Sequence, residues 1–123
     1  KLYKISTRMR TKKEIIYFSK FDFYAMLSNI NEKELMQYSH PALKVLRDYD
    51  YSHNGELYFT LQALIDCQFN MKKTADILSI HRNSLSYRLN KILDLTKVDL
   101  TDKDEIFRLS YGFKIENYCI ITR

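Results

Sequence analysis

Apolar residues recur at helical spacing along most of this chain, and one interruption of that pattern is informative. In "TADILSIHRNSLSYRLNKI", residues 74–92, a short apolar face made by Met71, Ala75 and Leu78 stops at Ser79-Ile80-His81. A second face then starts, with Leu85, Leu89 and Ile92 at i, i+4, i+7. The pattern predicts a helix over 71–78, capped by Asn70, a sharp corner, and a second helix from about Arg82 to Leu95. Upstream, "GELYFTLQALIDCQF" over 55–69 reads as an amphipathic helix. Pro41 suits the first turn of a helix over about 41–49, and Asn31 with Glu34 forms a capping box for a short helix over 32–38. "FDFYAMLSNI" over 21–30 predicts a helix burying Phe23, Leu27 and Ile30. Asp102 or Thr101 caps a last helix reaching about Cys119, with Ile106, Leu109, Phe113 and Tyr118 turned inward.

The first twenty residues read differently. Residues 2–11 suit a helix, and "EIIYF" over 14–18 is the best strand candidate. A lone strand has three outcomes: it joins a sheet elsewhere, pairs with a second copy, or is helical after all. The expected fold is therefore mainly α, a multi-helix domain containing a helix-turn-helix with a short residual N-terminal strand. Only two glycines and one proline in 123 residues agree with helices on short connections.

Composition narrows the function classes. The length suits one domain, and 46% hydrophobic residues suffice for a core. No apolar run approaches the roughly 20 residues of a membrane span, and no signal peptide is recognisable. Cys67 and Cys119 lie in apolar helical segments and read as buried reduced thiols, which fits a cytoplasmic protein. The net charge of +5 permits an acidic partner. It is unevenly spread: +6 over residues 1–20, −4 over 21–69, +3 over 70–95 and zero over 96–123.

Catalytic and metal chemistry find no support. His40, His53 and His81 are scattered, no zinc spacing occurs, and Gly55 and Gly112 alone cannot make a phosphate loop. Asp48 and Asp50 diverge on a helix and suit capping or turns. No enzyme activity and no cofactor or metal is expected.

The interrupted pattern instead meets the demands of a helix-turn-helix. Ala75 is small where the second helix crosses the first, and Ile80 plugs the corner into the core. Ser79 occupies the position where such corners often place glycine, because φ > 0 is needed there. Opposite Leu85, Leu89 and Ile92 the second helix carries Asn83, Tyr87, Asn90 and Lys91, flanked by Ser84 and Ser86. These are hydrogen-bonding side chains, and the major groove of B-DNA admits one helix bearing such groups. Arg82, Asn83, Ser84 and Tyr87 are expected near bases or adjacent phosphates, while Lys72, Lys73 and Lys91 are placed to neutralise phosphates. His81 bonds backbone or phosphate at the start of the second helix. Arg88 lies toward the buried side, where it either braces the domain or reaches a phosphate along the flank.

Residues 57–102, "LYFTLQALIDCQFNMKKTADILSIHRNSLSYRLNKILDLTKVDLTD", resemble the C-terminal DNA-binding domain of the PucR/CdaR family of bacterial regulators, the purine-catabolism and sugar-diacid type. The resemblance is carried by Thr60-Leu61, Asn70, Ala75, Leu78, Ile80, His81-Arg82-Asn83-Ser84-Leu85, Tyr87-Arg88-Leu89, Lys91-Ile92 and Asp99-Leu100 with Asp102. Ser84 stands where the family more often has Thr, which keeps the hydroxyl. Weaker similarity continues upstream through 17–30 and 43–50. The resemblance implies a Fis-like helix-turn-helix in a metabolite-responsive transcription factor, usually an activator. It also implies a small-molecule effector sensed by an upstream domain absent from this chain. The expected partner is double-stranded DNA, with no membrane; because specific operators generally need two copies, a homodimer is expected. Residues 1–20 then read as the remnant of that upstream region and 21–123 as the helical DNA-binding domain, with the helix-turn-helix at about 71–95. The alternative class is a protein-interaction or dimerisation module with no direct DNA contact, carried by the acidic 21–69 helices and the apolar-aromatic N-terminal segment. RNA binding is disfavoured, since it calls for aromatic residues on a sheet.

Overall fold

Most helix starts in this domain are set by side-chain caps, and four of the ends by left-handed residues. The computed structural model describes residues 24–121. Residues 24–27 are helical, followed by α1 (Glu32–Gln37), α2 (Pro41–His53), α3 (Leu57–Asp66), α4 (Met71–Leu78), α5 (Arg82–Thr96) and α6 (Lys103–Ile121). Among the described residues there is no strand. The helix expected at 2–11, the strand at 14–18 and Phe23 lie outside them.

The Asn31 carboxamide accepts the Glu34 N–H at 2.8 Å and starts α1. His40 caps α2, its Nδ1 accepting the Ala42 N–H at 3.0 Å, and Pro41 takes the first helical position. The sequence pattern placed the end of α2 near 49, but the helix runs a further turn to His53 before Asn54 ends it at φ 51°. Asn reaches that region at less cost than most residues.

The α3 start also differs from the pattern, beginning at 57 rather than 55, because its cap is remote. The Asp50 carboxylate, on the last turns of α2, accepts the N–H groups of both Leu57 and Tyr58 at 2.9 Å. A Cβ on Gly55 would come within 2.7 Å of Asp50 Oδ1, so that reach needs glycine. The far end closes at Asp66 rather than 69. Gln68 and Phe69 are both left-handed, at φ 53° and 63°, and their N–H groups return to Ile65 and Leu64.

Among the described residues three apolar clusters result. The largest joins α2, α3, α5 and α6 through Leu43, Leu46, Leu61, Ile92, Leu109 and Phe113. A second packs Leu27 and Leu35 against Ile115 and Cys119 of α6. The third, Leu64, Ala75 and Leu85, holds α4 and α5 on α3. Both cysteines are buried thiols.

Among the described residues one charged side chain is buried. Glu116 of α6 is 4% exposed and accepts bonds from Arg47, from the Ser39 hydroxyl and from the Tyr58 hydroxyl at 2.9 Å. A buried carboxylate is tolerated only when its lone pairs are met, and here three donors from three places in the fold meet them. Burial, and then the negative charge of Glu116, raise the Tyr58 phenol well above its ordinary value. Folded Tyr58 stays protonated where an unfolded tyrosine ionises, near pH 10. Its contribution to stability is thus complete below about pH 10 and declines above it. Replacing Tyr58 by Phe is expected to lower unfolding free energy by about 2 kcal/mol, the usual worth of a hydrogen bond to a charged group. Urea denaturation at neutral pH measures this. In the same experiment above pH 10 the gap between wild type and Tyr58→Phe should narrow.

Candidate nucleic-acid interface

The corner between α4 and α5 is built by backbone bonds. Ser79 adopts φ 56°, ψ 43°; its N–H bonds back to Asp76 at 3.2 Å, and the Ile80 N–H reaches the Ala75 carbonyl at 3.0 Å. This pair of bonds is the Schellman arrangement, which commonly brings an apolar residue after the cap onto the last helical turn. Ile80 duly packs with Ala75, Leu64 and Leu85. The expectation that the corner requires φ > 0 is met, with serine in the strained position.

At each helix start a side chain replaces the missing backbone partner. Asn70 accepts from the Lys73 N–H at 3.0 Å, and His81 Nδ1 accepts from the Asn83 N–H at 3.2 Å. An imidazole accepting through Nδ1 carries its proton on Nε2 when neutral. His81 is exposed, so that Nε2–H points a donor toward solvent at the α5 N-terminus.

The α5 helix divides along its length. Leu85 and Ile92 are fully buried and Leu89 is partly covered, whereas Arg82, Asn83, Ser84, Ser86, Tyr87 and Asn90 are exposed. Tyr87 is 68% exposed, a large aromatic left facing water. Lys72 and Lys73, in the first turn of α4, are exposed too. Lys91 is half-buried, its ammonium 5.4 Å from the centre of the Tyr49 ring.

Arg88 turns the other way. Its guanidinium donates to Thr60 Oγ1 at 3.1 Å and lies 3.4 Å from Glu56 Oε2, so it ties α5 to the start of α3. Thr60 is itself fixed, its hydroxyl donating to the Glu56 carbonyl at 2.6 Å.

Five of the residues singled out in the sequence, Asn83, Ser84, Tyr87, Arg88 and Lys91, line one groove with residues that sequence reasoning missed: Tyr49, His53 and Asn54. Their signal was faint. Tyr49 and His53 are spaced i, i+4 on α2, and their rings stack 4.1 Å apart. Among the described residues no group of His, Cys, Asp or Glu is placed to hold a metal ion, and no helix is long and apolar enough to cross a membrane.

A short capped helix, a left-handed corner and a second helix with one buried and one polar face define a helix-turn-helix domain. Residues 57–115 belong to the PucR C-terminal helix-turn-helix domain family. Over 107 residues the chain is 29% identical to the DNA-binding transcriptional activator AdeR of Bacillus subtilis (strain 168), covering 85% of this chain and 25% of that one. It is 33% identical over 86 residues to the proline-responsive transcriptional activator PutR of the same organism, covering 69% and 21%. It is 38% identical over 64 residues to the carbohydrate diacid regulator of Escherichia coli (strain K12), covering 52% and 17%. The chain thus spans a quarter or less of the length of these relatives. No solved structure gives a significant match. The names of these relatives are those of two transcriptional activators and a regulator, and the part of them that this chain matches includes the helix-turn-helix domain.

Serine at the corner carries a strain that glycine would not. Ser79→Gly is expected to stabilise the domain by about 0.5–1 kcal/mol, the relief of left-handed backbone exceeding the added flexibility of the unfolded chain. Ser79→Val should lose about 1 kcal/mol or more, since a β-branched side chain fits that region worst. Thermal melts of the two variants beside wild type measure both, the midpoints moving in opposite directions.

Proposed function

We propose that this chain is the sequence-reading part of a metabolite-responsive transcriptional activator, and that α5 enters the major groove of duplex DNA. The observation that carries this reading is the exposed polar face of α5, crowded at its N-terminal end with Arg82, Asn83, Ser84, Ser86 and Tyr87 over a buried apolar face. Arg, Asn and Ser match the donor and acceptor pattern of base edges, and groups near the start of such a helix make the base contacts. Lys72, Lys73, Lys91 and the His81 Nε2–H serve phosphates, and Arg88 holds the helix while reaching the flank of the backbone.

Charge supports a tilted approach. Asp94 is exposed and shares the Asn83, Tyr87, Asn90 stripe near the C-terminal end of α5. A carboxylate there is repelled by phosphate, so the N-terminal half of α5 seats deepest and the C-terminal half lifts away.

Two copies, one per half-site about one helical turn apart, would supply specific affinity. Residues 1–20 in this reading connect to an upstream effector-sensing domain, and 21–123 form the DNA-binding unit of a cytoplasmic homodimer.

Selection of bound duplexes from a random pool tests the proposal and reports half-site spacing. A consensus with affinity falling steeply from low to physiological salt is expected. An empty selection, or affinity flat in salt, overturns the reading and favours a protein-interaction module. On a selected duplex, Asn83→Ala should lose about 1–3 kcal/mol and relax preference at one base pair, the usual value of a good base contact. Lys73→Ala should weaken all sequences alike and reduce the salt slope by about 1. Binding isotherms at several salt concentrations separate the two.

A further inference from the structure

We infer that the C-terminal turn of α2 and the loop after it form a second DNA-contacting wall, seating a backbone phosphate in the groove between them and α5. This rests on the proposed seating of α5 in the major groove.

The groove encloses about 530 Å³. One wall is α5, with Asn83, Tyr87 and Lys91; the other is Tyr49, His53 and Asn54. At 100° per residue, Ser84, Arg88 and Lys91 lie along one edge of the exposed α5 face. Arg82, Ser86 and Leu89 lie along the other, where Leu89 packs against the Leu64, Ala75 and Leu85 cluster that also takes Leu78 and Ile80 from α4 and the corner. The two flanks of α5 therefore carry different elements. A helix about 10–12 Å across fills a major groove about 12 Å wide, so a phosphate strand must pass on each side of it. Lys72 and Lys73 of α4 serve one side. The groove lies on the other.

Its lining suits an anion. Tyr87, Asn83, Ser84 and Asn54 offer neutral donors, and the Lys91 ammonium is held over the Tyr49 ring instead of ranging through solvent. Tyr49 is fixed in turn by its stack on His53, whose Nδ1 donates to the Tyr49 carbonyl at 3.1 Å. The one carboxylate in the lining, Glu56, is already paired with Arg88. The peptide N–H groups of Leu57 and Tyr58 are taken by Asp50, so the seat is made of side chains and not of the α3 N-terminus.

Phosphate ethylation interference tests this, on a duplex recovered by the wild-type chain from a random pool. Two variants are compared with wild type. In one, Lys91→Gln is combined with Asn54→Gly, which keeps the left-handed backbone available. In the other, Lys72→Ala is combined with Lys73→Ala. Wild type is expected to show two groups of interfering phosphates, one on each side of the contacted major groove. The Lys91→Gln/Asn54→Gly variant should lose one group, with affinity down about 5–20-fold and a salt slope smaller by about 1. The Lys72→Ala/Lys73→Ala variant should lose the other group. If Lys91→Gln/Asn54→Gly keeps both groups while wild type binds, the second wall is refuted and the seating of α5 stands. If wild type recovers no duplex, both fall together.

Discussion

The arrangement of this domain depends on one corner, the backbone closure at Ser79-Ile80 that turns α4 into α5. Two backbone bonds fix the angle, and the packing of the partly buried Ile80 against Ala75, Leu64 and Leu85 keeps it. Neither part suffices alone. Without the left-handed serine the apolar faces of α4 and α5 would fall in register as one rod, and Leu85 would leave the Leu64 cluster. Without Ile80 the bonds would hold a solvent-exposed turn whose few kcal/mol are matched by its conformational entropy. Together they aim the α5 N-terminus outward with its polar face bare.

A second constraint acts at a distance. Glu116 gathers Ser39, Arg47 and Tyr58, and Asp50 gathers the N-terminus of α3. Both carboxylates pin elements that precede the helix-turn-helix in sequence, and α3 is the platform on which α4 and α5 rest. Gly112 allows the same closeness in α6, where a Cβ would meet the His40 nitrogen and a Leu43 methyl at 3.0 Å. The acidic character of residues 21–69 is thus partly structural. Asp50 works as a remote cap, and Asp48 pairs with Lys44 along α2.

Much of this was legible in the sequence where a local rule governed it. Asn31 and Asn70 cap as their spacing predicts, α4 and α5 begin where the pattern puts them, and Ser79 takes the left-handed conformation its position demands. Non-local features were harder to read. Glu116 lies on the stripe of Leu109, Gly112, Phe113 and Cys119, at spacings of three and four. A charge on that face was the available sign of a buried cluster, but its partners lie 58 to 77 residues away in sequence. The ends of α3 also lie inward of the pattern, one set by the remote Asp50 and the other by two consecutive left-handed residues that are not glycine. The Tyr49–His53 wall depends on how α2 lies against α5, and no periodicity within either helix reports that.

Arg88 is where folding and the proposed recognition meet. A lysine in its place would offer one charged point, whereas a guanidinium holds five N–H donors in a plane. One nitrogen is bonded to Thr60 and another faces Glu56, which fixes the rotation of α5 against α3. The side chain remains 22% exposed on the groove edge, so the group that orients the helix also contributes positive potential beside it. The exposed Glu56 partner weakens that field without removing it, since an ion pair open to water is screened. Bracing and attraction are therefore one arrangement: the donors facing inward hold α5 at its angle, and the charge they carry is felt on the side where a phosphate strand would pass.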